Sequence, residues 1–169
     1  MIFVTVGSCQ LPFDRLLREL ERLPLDEQLV VQLGPSALRL PRATCVDFMP
    51  FETVVERVRQ ARIVISHAGV GSVMVALANG KRPLVVPRLS KFGEIVDDHQ
   101  LEFGRRMAES GLVTLVEDLA ELPDFVSGDS GAASAVFGEA NQLVADLRAY
   151  LIARTGPPRP VASLHPFPR

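Results

Sequence analysis

The chain is poor in the residues that build metal and disulfide scaffolds. Its 169 residues include two cysteines, Cys9 and Cys45, which form no C-x-x-C pair. Two isolated thiols read as small core or loop residues, not as a disulfide framework. The three histidines, His67, His99 and His165, stand far apart without metal-ligand spacing, so no metal site is expected. No apolar run approaches the roughly 20 residues that cross a bilayer. The start, Met1 to Gly7, lacks the basic and long apolar regions of a signal peptide, which sets the expectation of a reducing, cytoplasmic setting. A net charge of −2 argues against a nucleic-acid partner. Common catalytic loops are missing too. The glycines from Gly69 read G-x-G-x-x-M, short of the dinucleotide fingerprint; Ser72 lies outside any G-x-S-x-G; and there is no phosphate-binding G-x-x-x-x-G-K-[ST].

What is present is the composition of a globular domain, 47% hydrophobic and 22% charged. Short apolar runs alternate with segments of helical period. Strands are predicted at residues 2–6, 28–33, 44–49, 62–66, 83–86 and 112–116. Between them, Phe13, Leu16, Leu17 and Leu20 form one helix face behind Pro12, placed in the helix's first turn. Residues 51–61, with Val54, Val55 and Val58 inward, 71–79, and 97–110, with Leu101, Met107 and Ala108 inward, are read as further helices. A last helix carries Val136, Ala140, Leu143, Val144, Leu147 and Leu151 on one side, after a small, polar surface loop at 127–134. This alternation predicts an α/β fold, a Rossmann-like doubly wound parallel sheet, over residues 1–154. Residues 155–169 hold Pro157, Pro158, Pro160, Pro166 and Pro168, a Pro-rich tail expected to be disordered or polyproline-like.

Ligands of such sheets sit beyond the carboxyl ends of the strands, and three loops there have unusual composition. Gly7-Ser8 after the first strand fits either a tight turn or a close approach to a ligand. His67, Gly69, Gly71 and Ser72 open a helix whose free N–H groups and positive dipole end suit a phosphate. Read alone, Ser72 is also a helix-start residue and His67 a strand-end histidine; the two glycines beside them favour the ligand. The third loop runs from Pro87 through Arg88 and Glu94 to Asp98, His99 and Gln100, and the last five of these side chains are counted among the ligand-binding candidates. Asp97 and Gln100 have capping-box spacing, while Asp98, His99 and Gln100 offer carboxylate, imidazole and amide groups to a hydroxyl-rich ligand.

Phe3-Val4-Thr5-Val6-Gly7, Ser66-His67-Ala68-Gly69-x-Gly71-Ser72, Gly80-Lys81-x-Pro83-Leu84-Val85-Val86-Pro87 and Asp98-His99-Gln100 resemble the C-terminal domain of glycosyltransferase family 28, over roughly residues 1–117. Within it the chain is similar to the small catalytic subunits of two-component UDP-sugar transferases, the bacterial exopolysaccharide glucuronosyltransferase subunits and the eukaryotic dolichol-linked N-acetylglucosamine transferase. The resemblance implies the donor-binding half of a GT-B fold, inverting and independent of metal or other cofactor, with UDP-sugar as donor substrate. It places Gly7, Ser8, Gly69, Gly71 and Ser72 at the diphosphate, His67 beside it, and Asp98, His99 and Gln100 at the sugar hydroxyls. It implies a membrane-anchored partner subunit supplying the acceptor site and the general base, a lipid-linked saccharide acceptor, and a place at the inner face of the membrane.

Many family members carry a glutamate six residues after the first motif glycine, on the ribose hydroxyls; here that position is Val75. The loop R-x-x-x-x-G-E-x-x-x-D-H-Q, from Arg88 to Gln100, is similar to the bacterial group and favours glucuronate. Arg88 is then a candidate for the donor carboxylate; pairing with Glu94, or phosphate binding, are its other readings. A non-catalytic nucleotide-binding scaffold subunit and a nucleotide-binding oxidoreductase module are the competing classes.

Overall fold

The computed structural model describes residues 1–24 and 26–128. The predicted last helix, the Pro-rich tail and most of the 127–134 loop lie outside them.

Six parallel strands form one sheet: β1 (Ile2–Thr5), β2 (Leu29–Gln32), β3 (Ala43–Val46), β4 (Ile63–His67), β5 (Leu84–Val86) and β6 (Thr114–Leu115), in the order β3-β2-β1-β4-β5-β6. β1, β2, β4 and β5 are buried along their whole length, whereas edge strand β3 alternates between half-buried and exposed. Continuous apolar runs such as Ile2-Phe3-Val4 are what a sheet covered on both faces requires. Ile2, Val4 and Ile65 pack with Leu16, Leu17 and Leu20 of α1 (Asp14–Arg22) and with Leu122 and Val126 of α5 (Leu122–Ser127). On the other face Phe3, Val30 and Val64 meet Val58 of α2 (Phe51–Gln60) and Ala76 of α3 (Val70–Ala78). Val85 packs with α3 and with Phe103 and Met107 of α4 (His99–Glu109).

The doubly wound expectation holds, and the differences are local. Pro12 precedes α1 by two residues instead of sitting in its first turn. Val54 and Val55 of α2 are half-buried; only Val58 is fully inside. On α4 the fully buried residues are Gln100 and Gly104, with Leu101, Met107 and Ala108 half-buried. The Asp97–Gln100 capping box does not form. The residue preceding α4 is Asp98, whose carboxylate accepts from the Ser90 N–H (2.8 Å), and Gln100 turns inward. α5 occupies residues up to Ser127, where the surface loop was expected to begin.

Between β1 and β4 the strand order reverses: β2 and β3 lie to one side and β5 and β6 to the other. The crevice beyond the carboxyl ends of such a pair is the ligand position of doubly wound sheets.

Candidate donor-binding site

Register brings the first two sequence-predicted loops together. Thr5 of β1 pairs with Ser66 of β4, so Gly7 and His67 emerge side by side. Gly7 has φ +77°, a conformation costly for any residue with a side chain. The His67 ring fills the space between two glycines. A Cβ on Gly7 would lie 2.3 Å from its Cε1, and one on Gly69 2.1 Å from its Nε2. Two of the three motif glycines are therefore explained by the imidazole they flank. Gly71 differs: an added Cβ there would meet nothing within 4 Å, so its bareness leaves open space at the start of α3. α3 begins after Gly69, with no side-chain cap and no acid in its first turn. Its leading N–H groups are thus available to an anion.

These residues line a cleft of about 450 Å³. Gly7, Ser8, His67, Gly71 and Ser72 make one wall; Phe51, Val54, Val58 and Val75 make an apolar one. The cleft thus pairs an anion-binding end with an apolar wall, the division a nucleoside diphosphate needs.

His67 is 8% exposed and its pKa is pushed down from 6.5 to about 4. Burial is the main cause and the positive charge of Arg88 the second, with the Thr5 backbone opposing. At neutral pH the ring is uncharged. Its Nδ1 is buried and makes no hydrogen bond.

Of two further polar residues of this cleft, Thr5 stood in the first loop's motif without a role of its own and Gln32 escaped the sequence reading. Thr5 Oγ1 accepts from the Gly7 N–H (3.2 Å) and shapes the turn. Gln32, buried at the end of β2, donates from Nε2 to the Gly7 carbonyl (3.4 Å), while its Oε1 has no partner. The signal was available: Gln32 closes an otherwise apolar buried run, Leu-Val-Val-Gln.

The third loop is organised differently. Arg88 and Glu94, expected on the donor, are both buried. The Arg88 guanidinium donates to four backbone carbonyls, and the Glu94 carboxylate accepts a two-pronged bond from Arg15 (2.9 and 3.0 Å) and the Leu89 N–H (3.0 Å). Neither head group faces the cleft, and the donor-carboxylate role expected of Arg88 does not fit this geometry. Gln100 is buried as well, its Oε1 accepting from the Arg88 N–H (3.1 Å). Asp98 and His99 are exposed and line a separate depression along α4. The Ser90 N–H holds the Asp98 carboxyl below its usual range, and Asp97 contacts His99. The structure thus unites Gly7, Ser8, His67, Gly71 and Ser72 in one cleft, with Gly69 behind the ring, and leaves Asp98 and His99 outside it.

Residues 1–124 match the model of the glycosyltransferase family 28 C-terminal domain. The chain belongs to this family. Human UDP-N-acetylglucosamine transferase subunit ALG13 is 32% identical over 124 residues, 65% of this chain and 10% of that protein; the mouse ALG13 is 33% identical over 123 residues, 64% and 10%. The chain thus spans about a tenth of the length of these relatives. Among solved structures, the calicheamicin glycosyltransferase CalG4 superposes with a TM-score of 0.57 at 17% identity, covering 92% of this chain and 44% of CalG4. Acinetobacter baumannii MurG gives 0.56 at 18% identity, covering 88% and 49%. The fold is accordingly the Rossmann-like C-terminal half of a GT-B glycosyltransferase.

Proposed function

We propose that this chain is the donor-binding subunit of an inverting, metal-independent glycosyltransferase that takes a sugar from a UDP-sugar. The observation that carries the proposal is the meeting of an uncapped helix start and a positive-φ glycine turn around a neutral histidine, beside an apolar wall. The diphosphate lies against Gly7, Ser8 and the N–H groups of α3, and the nucleoside lies toward Phe51 and Val75. In the reaction an acceptor oxygen bonds to the anomeric carbon as the bond to the β-phosphate oxygen breaks. UDP leaves with the electron pair, and its growing charge is met by the helix start. A base takes the acceptor proton. No carboxylate lines the cleft among the described residues, and the base is assigned in this reading to a partner chain.

The partner is a membrane-anchored, acceptor-binding subunit, and the acceptor a lipid-linked saccharide, which puts the chain at the inner membrane face. The relatives are themselves called subunits. No helix among the described residues is long and apolar enough to cross a membrane; anchorage is part of the role proposed for the partner. The surface supports a docked chain: the large hydrophobic residues exposed among the described ones, Leu11, Val46, Phe48, Phe51, Val70, Phe92 and Val96, all follow or end strands at the sheet's carboxyl edge, and Phe51 lines the cleft itself.

Glucuronate keeps its support from the likeness of the Arg88–Gln100 loop, without a contact from Arg88. N-acetylglucosamine, the donor in the relatives' names, is the second reading. Calorimetric titration with UDP, UDP-glucuronate, UDP-N-acetylglucosamine and NADH tests the donor reading. Selective binding of one UDP-sugar is expected and names the sugar; preference for NADH would overturn the proposal.

A further inference from the structure

Arg88 is the bulkiest of the fully buried side chains among the described residues, at 0% exposure. It stands two residues beyond β5, yet most of its partners lie far away in sequence. Nη1 donates to the carbonyls of Leu11 (2.9 Å), Pro12 (3.2 Å) and Glu94 (3.1 Å), and Nη2 to that of Val6 (3.0 Å). Its Cζ sits 4.7 Å from the Phe13 ring centre. The Arg88 backbone N–H is held in turn by Gln100. One side chain therefore ties both ends of the loop carrying Gly7 and Ser8 to the loop running from Arg88 to Gln100.

The charge on this group is only partly offset where it sits: burial disfavours it, and the Glu94 carboxylate that favours it is shared with Arg15. Its hydrogen-bond partners are carbonyls, which solvate a cation without neutralising it, while the nearby Glu94 carboxylate is bonded to Arg15 and Leu89. The neighbourhood registers that charge, because Arg88 is the second cause of the low His67 pKa. A lysine could supply the charge but not the fork: an ammonium on a flexible stem cannot reach carbonyls spread on both sides of a planar guanidinium.

We infer that Arg88 is a positioning residue of the donor cleft: without touching the ligand, it clamps the Gly7–Ser8 loop to the Arg88–Gln100 loop and presents a buried positive charge to the diphosphate from beneath. The inference rests on the donor reading given above. A purely structural arginine would stabilise the fold without distinguishing a charged ligand from its uncharged core.

The test compares UDP with uridine, titrated by NMR into the isotopically labelled wild-type chain and into Arg88→Met and Arg88→Lys. In Arg88→Met, UDP affinity is expected to fall about tenfold while uridine affinity changes less than twofold. In Arg88→Lys the preference for UDP is largely kept, but amide exchange at Gly7, Leu89 and Glu94 speeds up together by about tenfold, without ligand. Equal losses for UDP and uridine, or an unchanged UDP affinity, would overturn the electrostatic role. Faster exchange in one loop only, or in neither, would overturn the clamp. Should Arg88→Met fail to fold, Arg88→Lys still decides the clamp, and loss of its UDP preference would count against a role for the charge. A wild-type chain binding neither UDP nor uridine would sink the donor reading and the electrostatic role with it, leaving the ligand-free exchange to judge the clamp.

Discussion

Two regions at the carboxyl edge of the sheet look alike in sequence and are built on opposite principles. The junctions after β1 and β4 consist of small residues around one histidine, and they leave polar atoms without partners: His67 Nδ1, Gln32 Oε1 and the uncapped start of α3. The segment between β5 and α4 is richer in charge, yet its buried polar head groups are spent on one another and on the backbone, with Arg88 Nε the exception. Buried polar groups are normally paired, so those left over call for an explanation. Here the first region is the one shaped for a ligand, and the second holds the first in place. Glycines in the sequence pointed to the first and charged side chains to the second; the denser hydrogen bonding of the second separates them.

The sharpest way to break this contrast is to cut the second region's own network. Glu94→Gln removes the charge from a carboxylate that is 5% exposed and pairs with Arg15, 21% exposed. Leaving the Arg15 charge half-buried without its counter-ion is expected to cost about 3 kcal/mol of stability, read by urea unfolding. A loss below about 1 kcal/mol would mean that the network is ornamental.

In the first region the matching cut is steric. Gly69→Ala places a methyl group 2.1 Å from His67 Nε2. Displacing the ring is expected to cost about 2 kcal/mol and to weaken UDP binding. The Gly69→Ala/His67→Ala pair should recover part of that stability, because the methyl then has room. Additive losses would show that the glycine answers to something other than the ring. By contrast Gly71→Ala, with open space before it, should spare stability and hinder only the ligand.

Titration probes the same region more gently. The His67 pKa is depressed in the folded state, so its contribution is complete above about pH 6.5 and is lost as pH falls from there toward 4. Between pH 7 and pH 5 the chain should lose about 2 kcal/mol through this group. A His67→Gln variant should show a flatter pH dependence over that window. Identical slopes would mean that the ring is not held neutral by the fold.

The fold was legible because its determinants are local. Apolar runs of four or five residues separated by helical periods require a covered parallel sheet, and its strand order sets Gly7 beside His67. Gly69 and Gly71 were legible for the same reason, since each stands within four residues of His67, whereas Gly7 meets that ring only through the pairing of β1 with β4. Arg88 was misplaced because its four side-chain contacts beyond its own loop, to Val6, Leu11, Pro12 and the Phe13 ring, all come from 75 or more residues earlier in the chain. Nothing in residues 87–100 announces that a guanidinium will turn inward to meet them. Asp98 and His99 were placed by chemical type and by the family motif, and neither says which way an exposed loop faces.

Val75 offers the finest test of the first region. It lies on the cleft's apolar wall, on the helix whose start is assigned to the diphosphate. Val75→Glu puts an acceptor for hydroxyl groups at that position, on a half-buried site where the carboxylate can stay solvated. If the ribose lies there, UDP should bind about fivefold more tightly, a gain near 1 kcal/mol typical of one added hydrogen bond. A 2′,3′-dideoxy analogue should gain nothing, because it has no hydroxyl to donate. Equal changes for both ligands would move the ribose off this wall, and the apolar residues Phe51 and Val54 would then be assigned to the base alone.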